Sequence, residues 1–163
     1  MEDRVAHHGI SKDHAERLLE AAREAATRAY VPYSHFPVGA AIETEEGSIV
    51  TGCNVENASY PLTVCAERVA VGTAVAAGHR HIRAVAVTAP NVESVTPCGG
   101  CRQVLNEFRG SDGSLWVILE GELGPEIVSI DELLPRSFGP TALDRAAKAG
   151  AWLRAAPRCV GNC

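Results

Sequence analysis

Nothing in this sequence approaches the run of about 20 apolar residues that a helix needs to cross a bilayer. The stretch from Met1 to Lys12 is polar and has no apolar segment of the secretory type. No lysine- or arginine-rich run appears either. The densest basic stretch is Arg80, His81 and Arg83, and the net charge is −5. Proteins that bind nucleic acid neutralise phosphates with a basic face. These absences therefore argue against both a membrane and a nucleic-acid partner, and they suit a small uncharged ligand. Internal repeats, low-complexity tracts and interdomain linkers are also missing. What is present is 163 residues, 46% hydrophobic and 21% charged, enough for one ordinary core. A cytoplasmic location is expected. Disulfides are disfavoured there, so the six cysteines need another reason, with metal binding and catalysis foremost.

The pattern of elements gives an architecture. Residues 1–10 read as a flexible leader. Ser11 caps a helix reaching about Ala29, with Leu18, Leu19, Ala22 and Ala26 at helical spacing. Phe36 to Thr44 reads as a strand, Glu45-Glu46-Gly47 as a turn, and Ser48 to Val55 as a second strand. A helix covers Glu67 to Ala77, starting a few residues earlier and stopping at Gly78. Ile82 to Thr88 is a continuous apolar run, suited to a strand covered on both faces. A helix from Gly99 to Phe108, strands at Leu115–Leu119 and Glu126–Ile130, a helical turn at Asp131–Leu134 and a terminal helix from Thr141 to Leu153 complete the chain. This order predicts a three-layer α/β domain around a mixed five-stranded sheet, occupying residues 11–140, with 141–163 as a C-terminal helix and tail.

Two segments carry chemistry: Val64-Cys65-Ala66-Glu67-Arg68 and Pro97-Cys98-Gly99-Gly100-Cys101-Arg102. The second is a CxxC at a helix start, where the helix dipole favours thiolates. By itself it fits a redox disulfide, a structural zinc site or a catalytic one. Cys65, also at a helix start, adds a third sulfur, and Glu67 follows two residues later. A ligand, one residue, a glutamate and a distant PCxxC is the pattern of zinc-dependent nucleobase and nucleoside deaminases. A structural zinc site takes four protein ligands, and Cys53 or a histidine is available as the fourth. Three ligands beside a carboxylate leave a position for water, which marks a catalytic site.

The resemblance extends further. Tyr33-Ser34-His35-Phe36-Pro37-Val38-Gly39, Gly52-Cys53-Asn54-Val55-Glu56-Asn57-Ala58-Ser59-Tyr60, Cys65 to Arg68, Pro97 to Leu105 and Leu133 to Pro140 occur in the order found in short-chain cytidine deaminases. The chain resembles that family from about Ser11 to Pro140. The resemblance implies the α/β/α fold of such deaminases. It implies Zn2+ on Cys65, Cys98 and Cys101, Glu67 as the proton carrier, and Arg68 as an arginine bonding the cysteine sulfurs. It further implies a cytosine nucleoside substrate. Phe36 would lie against the base and Asn54 and Glu56 against the ribose; the last two stand two apart on the second strand and so share one face. The backbone at Ala66 and Cys98 would meet the base edge. A homotetramer with shared active sites follows, in which Ala58, Tyr60 and Phe138 approach substrate bound to neighbouring copies. Val69 and Gly100 depart from the commoner residues beside the metal, and Thr63 and Val64 vary. Related enzymes act on modified or antibiotic cytosine nucleosides, which is the alternative substrate class. A zinc-stabilised binding protein without catalysis is the alternative from another class; it would have no need of Glu67.

Overall fold

The structure, a computed structural model, describes residues 9–90, 92 and 94–143. Helix α1 (Lys12–Ala26) leads into a hairpin of β1 (Gly39–Thr44) and β2 (Ile49–Cys53). A 3₁₀ turn at Tyr60–Leu62 precedes α2 (Ala66–Ala76), β3 (Ile82–Thr88) and α3 (Gly99–Glu107). Strands β4 (Trp116–Gly121) and β5 (Gly124–Ser129) and the short α4 (Ile130–Leu133) follow. The strands form one sheet in the order β2-β1-β3-β4-β5. Only β3 and β4 run parallel, with α3 in the connection between them; the other pairs are antiparallel. The expected mixed sheet is thus present.

Alternation along β3 makes the three layers. Ala84 and Ala86 face the α1 side, packing with Leu18, Leu19, Ala22, Ala41 and Ile118. Val85 and Val87 face the other side, with Ala70, Val71, Ala74, Leu105 and Val117. The run, apolar but for Arg83 and the terminal Thr88, is therefore a central strand covered twice. Two glycines let the layers close. A Cβ at Gly39 would lie 1.9 Å from the Ala22 carbonyl oxygen, and one at Gly52 would lie 2.6 Å from the Ala66 carbonyl oxygen. Any side chain at residue 52 would push the start of α2, and the residues it carries, away from the sheet.

Differences from the sequence reading have local causes. Helix α1 ends at Ala26 because the next three N–H groups turn to the i−3 carbonyls, tightening the chain into 3₁₀ bonding before Tyr30. Strand β1 starts at Gly39 rather than Phe36. Pro37 has no N–H, and the Phe36 carbonyl and Val38 N–H bond to the Asn54 side chain instead of to a ladder. Strand β2 stops at Cys53, so Asn54 and Glu56 lie past its end rather than on it. Helix α2 begins one residue before Glu67, preceded by the 3₁₀ turn. The packed chain begins before Ser11: Ile10 is buried in the α1-side core and the Gly9 carbonyl accepts a bond from Arg83. Ser129 closes a capping box with Glu132, converting the end of β5 directly into α4. Residues 140–143 are helical; the rest of the expected terminal helix, residues 1–8, and Cys159 and Cys163 lie outside the described residues.

Candidate active site

Cys65 is the N-cap of α2 and Cys98 the N-cap of α3, with Cys101 in the first turn of α3. The Cys65 sulfur caps no N–H group of its helix, and the Cys98 sulfur receives N–H groups of the first turn of α3 in the way a thiolate ligand does. The three Sγ atoms lie within 4.8 Å of one another. Sulfurs sharing one tetrahedral zinc at ~2.3 Å each sit about 3.8 Å apart, so the spacing fits a single ion after small adjustments. Among the described residues, the group contains these three and no further His, Cys, Asp or Glu. Cys53, once a candidate fourth ligand, does not join it. A set of three sulfurs leaves one position for a non-protein ligand.

Glu67, in the first turn of α2, is 4% exposed. Burial pushes its carboxyl pKa up, partly opposed by hydrogen bonds from its own backbone and from the Cys101 thiol. Cys101 is pushed far up by burial and then by the negative charge of Glu67 and Cys65. Cys65 is raised by burial, with repulsion from Cys98 and Glu67 adding to it. Cys98 is the exception: burial works against its ionisation, but hydrogen bonds from the Cys101 and Gly100 N–H groups and from the neighbouring thiols bring it below the usual thiol value. Four acidic groups thus crowd a half-buried space and oppose one another's ionisation. A divalent cation removes that conflict, so the residues fit the group the motif implies.

A family model described as the cytidine and deoxycytidylate deaminase zinc-binding region matches residues 12–115. The chain belongs to that family. The cytidine deaminase of Sporosarcina psychrophila is 46% identical over 134 residues, 82% of this chain and 97% of that one. The crystal structure of cytidine deaminase from Burkholderia pseudomallei is similar with a TM-score of 0.69 and 44% identity, covering 76% of this chain and 98% of that one. The blasticidin-S deaminase of Bacillus cereus is 33% identical over 129 residues, 74% of this chain and 89% of that one. The match to a zinc-binding family and the three gathered sulfurs make Zn2+ the cofactor of this deaminase-family chain.

The other expected site residues sort into a wall and a rim. Phe36 is 36% exposed, which removes it from the core. Asn54 is buried and spends its amide on the segment that carries Phe36: its Oδ1 accepts from Val38 N–H at 2.8 Å and its Nδ2 donates to the Phe36 carbonyl at 2.9 Å. One Glu56 oxygen, Oε2, accepts from the Tyr33 and Ser34 N–H groups at 3.0 and 3.2 Å. Hydrogen bonds from Ser34 and then Tyr33 hold the Glu56 carboxyl below the usual carboxylate range. Ala66 is fully buried behind Cys65. Ala58, Tyr60 and Phe138 are exposed, and the Tyr60 ring stands edge-on to Tyr33, centroids 6.0 Å apart.

Arg68 is exposed in the single chain, and no hydrogen bond or ion pair reaches its guanidinium among the described residues. A second arginine, Arg102, orders the cysteine loop. Its Nε donates to the Pro97 carbonyl at 2.7 Å, its Nη1 to the Leu133 carbonyl at 2.8 Å and its Nη2 to Thr96 Oγ1 at 3.1 Å. It ties the backbone just before Cys98 to the end of α4. The sequence reading quoted Arg102 within the motif without a role; its adjacency to Cys101 was the signal that could have found it.

Proposed function

We infer that the protein catalyses the hydrolytic deamination of cytidine and 2′-deoxycytidine to the uridine nucleosides and ammonia. The observation that carries this is Glu67: a buried carboxylate, with no cationic partner among the described residues, in the same helix turn as one of three sulfurs gathered for a metal. A structural zinc knot has no use for it.

Bound Zn2+ supplies Lewis acidity, bringing the pKa of a water toward neutrality. The chain supplies the rest. Glu67 accepts the proton that water loses on adding to C4 and delivers it to ring N3. It then carries the second water proton to the amino group, so that ammonia departs and the 4-oxo ring remains. Its raised pKa suits a group that must hold as well as release a proton. Phe36 offers a ring face to the pyrimidine. Asn54 keeps that segment in place and has a second amide hydrogen to offer. Glu56 offers Oε1 to a ribose hydroxyl, and a nucleoside lacking that hydroxyl leaves a carboxylate unpaired, which disfavours the free base. The N–H and C=O groups at Ala66 and Cys98 would meet the exocyclic amine and ring edge. Arg68, exposed in one chain, would turn toward the sulfurs and offset their charge.

The working form is a homotetramer with shared sites, supported by the exposure of Tyr60 (72%) and Phe138 (61%), large apolar side chains standing at the rim. Its location is cytoplasmic, supported by free thiols at Cys53, Cys65, Cys98 and Cys101. A net charge of −5 supports a nucleoside rather than a nucleic acid as substrate. Among the described residues no helix is long and apolar enough to cross a membrane.

The test is Glu67→Gln, assayed by loss of cytidine absorbance with zinc measured in parallel. The expected result is one zinc per chain and a kcat lower by at least about 10²–10⁴-fold. Full activity in that variant, or turnover of blasticidin S with none on cytidine, overturns the reading.

A further inference from the structure

Buried Asn106, in the last turn of α3, has both polar side-chain atoms engaged although it lies outside the zinc and ribose motifs. Its Oδ1 accepts from Arg109 Nε at 2.9 Å, Arg109 Nη2 at 2.6 Å and Ser137 Oγ at 3.1 Å. Its Nδ2 donates to the Phe138 carbonyl at 3.2 Å. That carbonyl also accepts from Gln103 Nε2 at 2.9 Å. Both of its lone pairs are thus filled by side chains three residues apart on one helix face. Gly139 lets the strap lie close, since a Cβ there would approach Asn106 Nδ2 to 3.3 Å. The strap enters through Arg136, a non-glycine residue at φ 56°. A left-handed backbone at such a residue is unfavourable and persists where its surroundings hold it.

The helix that fixes this carbonyl is the one whose first turn carries Cys98 and Cys101. An α-helix is stiff over such a length, and Asn106 lies about 7.5 Å along the axis from Cys101. We propose that Asn106, assisted by Gln103, is a positioning residue. It sets the height of the Phe138 backbone relative to the cysteine ligands, and so fixes where the Phe138 ring meets a nucleoside bound at a neighbouring copy's site. This rests on the shared-site reading given above. Arg109 and Ser137 load the Asn106 oxygen and thereby orient its amide so that the N–H side faces the Phe138 carbonyl. A strap pinned only by α4 packing would leave the ring height to the loop.

The experiment compares Asn106→Ala, Gln103→Ala, Phe138→Ala and the Asn106→Ala/Phe138→Ala double variant. KM and kcat for cytidine are read together with zinc content and the oligomeric state by light scattering. Asn106→Ala is expected to raise KM about tenfold, the scale of losing one aromatic stacking contact, with kcat within twofold and zinc unchanged. Gln103→Ala, at a half-buried position, shifts KM in the same direction by less and serves if Asn106→Ala does not fold. In the Phe138→Ala background the Asn106 change is expected to add less than twofold. A raised KM in Phe138→Ala with wild-type KM in Asn106→Ala and Gln103→Ala overturns the positioning role alone, as does full multiplication of the two effects in the double variant. A wild-type KM in Phe138→Ala overturns the shared-site reading and the positioning role with it.

Discussion

Two short segments present a phenylalanine at the rim, and they are held differently. Residues 33–38 carry Phe36 and are gripped by Asn54 and Glu56, which lie immediately past β2. Residues 136–139 carry Phe138 and are gripped by Gln103 and Asn106 from the body of α3. Each phenylalanine follows, by one or two residues, a non-glycine residue in the left-handed region, His35 at φ 55° and Arg136 at φ 56°. In both cases side chains from a distant segment supply bonds that a strand ladder would otherwise provide, and they hold an irregular backbone where a regular one would aim the ring elsewhere. Both grips use a buried asparagine, but Asn54 bonds the backbone of its strap twice, while Asn106 bonds its strap's backbone once and turns its oxygen to Ser137 and to Arg109, which reaches the surface at Asp131.

Breaking the first grip is expected to have the largest effect on stability. Asn54→Ala leaves the Val38 N–H and the Phe36 carbonyl without partners in a part-buried site. At about 1–3 kcal/mol for each unsatisfied group, reduced by what water can reach, the loss is about 2–4 kcal/mol. Urea unfolding measures it, and KM for cytidine rises alongside. A loss below 1 kcal/mol would show that the strap does not need its asparagine. Glu56→Gln, by contrast, keeps an acceptor for Tyr33 and Ser34, so its effect falls on KM rather than on stability.

Second in size is the arginine that joins the cysteine loop to the second strap. Arg102→Leu removes three bonds and frees the Pro97 carbonyl beside Cys98. Groups that orient metal ligands typically change metal affinity by about 10–100-fold. Zinc loss to a chelator, followed with a colorimetric indicator, is therefore expected to be at least ~10-fold faster than in the wild type. Arg102→Lys recovers little, because one ammonium cannot span three acceptors in a planar fork. Unchanged zinc release in both variants would assign Arg102 to the fold alone.

The same contrast explains what the sequence could and could not reveal. The ligand set was readable because Cys65, Cys98, Cys101 and Glu67 sit at helix starts, where capping and periodicity make local prediction strong. The sequence shows strand β3 to its ends because a twice-covered strand is apolar along most of its length, here at every position but Arg83 and the terminal Thr88. Asn54 and Glu56 were found, but their duty toward the backbone was not, since a side chain that bonds the chain 16 or 23 residues earlier leaves no periodic trace. The grip on Phe138 spans 32 to 35 residues; only the Gln103–Asn106 spacing on one helix face hinted at it. Arg68, one residue after Glu67, is turned about 100° from it around the helix and is exposed in a single chain.

A smaller effect separates backbone strain from side-chain grip. A left-handed residue other than glycine costs about 1–2 kcal/mol, while glycine costs roughly 0.5–1 kcal/mol in chain entropy. His35→Gly and Arg136→Gly should therefore each be neutral to stabilising, by up to about 1 kcal/mol. That corresponds to ~2–4 °C in Tm for a chain of this size, with KM within about twofold because the carbonyl bonds persist. A large KM increase at one position only would identify the phenylalanine whose aim depends on the strained residue rather than on its clamp.

The smallest expected effect lies at the outer end of the second clamp. Asp131 makes two bonds to Arg109, at 2.7 and 3.1 Å, and Arg109 in turn bonds Asn106. The Arg109 guanidinium holds the Asp131 carboxyl below its ordinary value of 3.8. A carboxylate with a depressed folded-state pKa contributes stability that is present above the unfolded value and lost as the pH falls through the folded one. The Asp131 side chain is 71% exposed, so screening by water limits the contribution to under about 1 kcal/mol. Asp131→Asn should therefore be slightly less stable than the wild type at pH 7, and equal to it once the pH is well below the usual carboxylate range. The Arg109–Asn106 bonds do not need Asp131, so KM stays within twofold at neutral pH. A stability gap that persists in acid would locate the effect in the first turn of α4 instead of the ion pair. A raised KM would mean that the grip on Phe138 extends out to a charge at the surface, through the Arg109 guanidinium on the Asn106 oxygen, whereas the Asn54 oxygen is bonded to a backbone N–H.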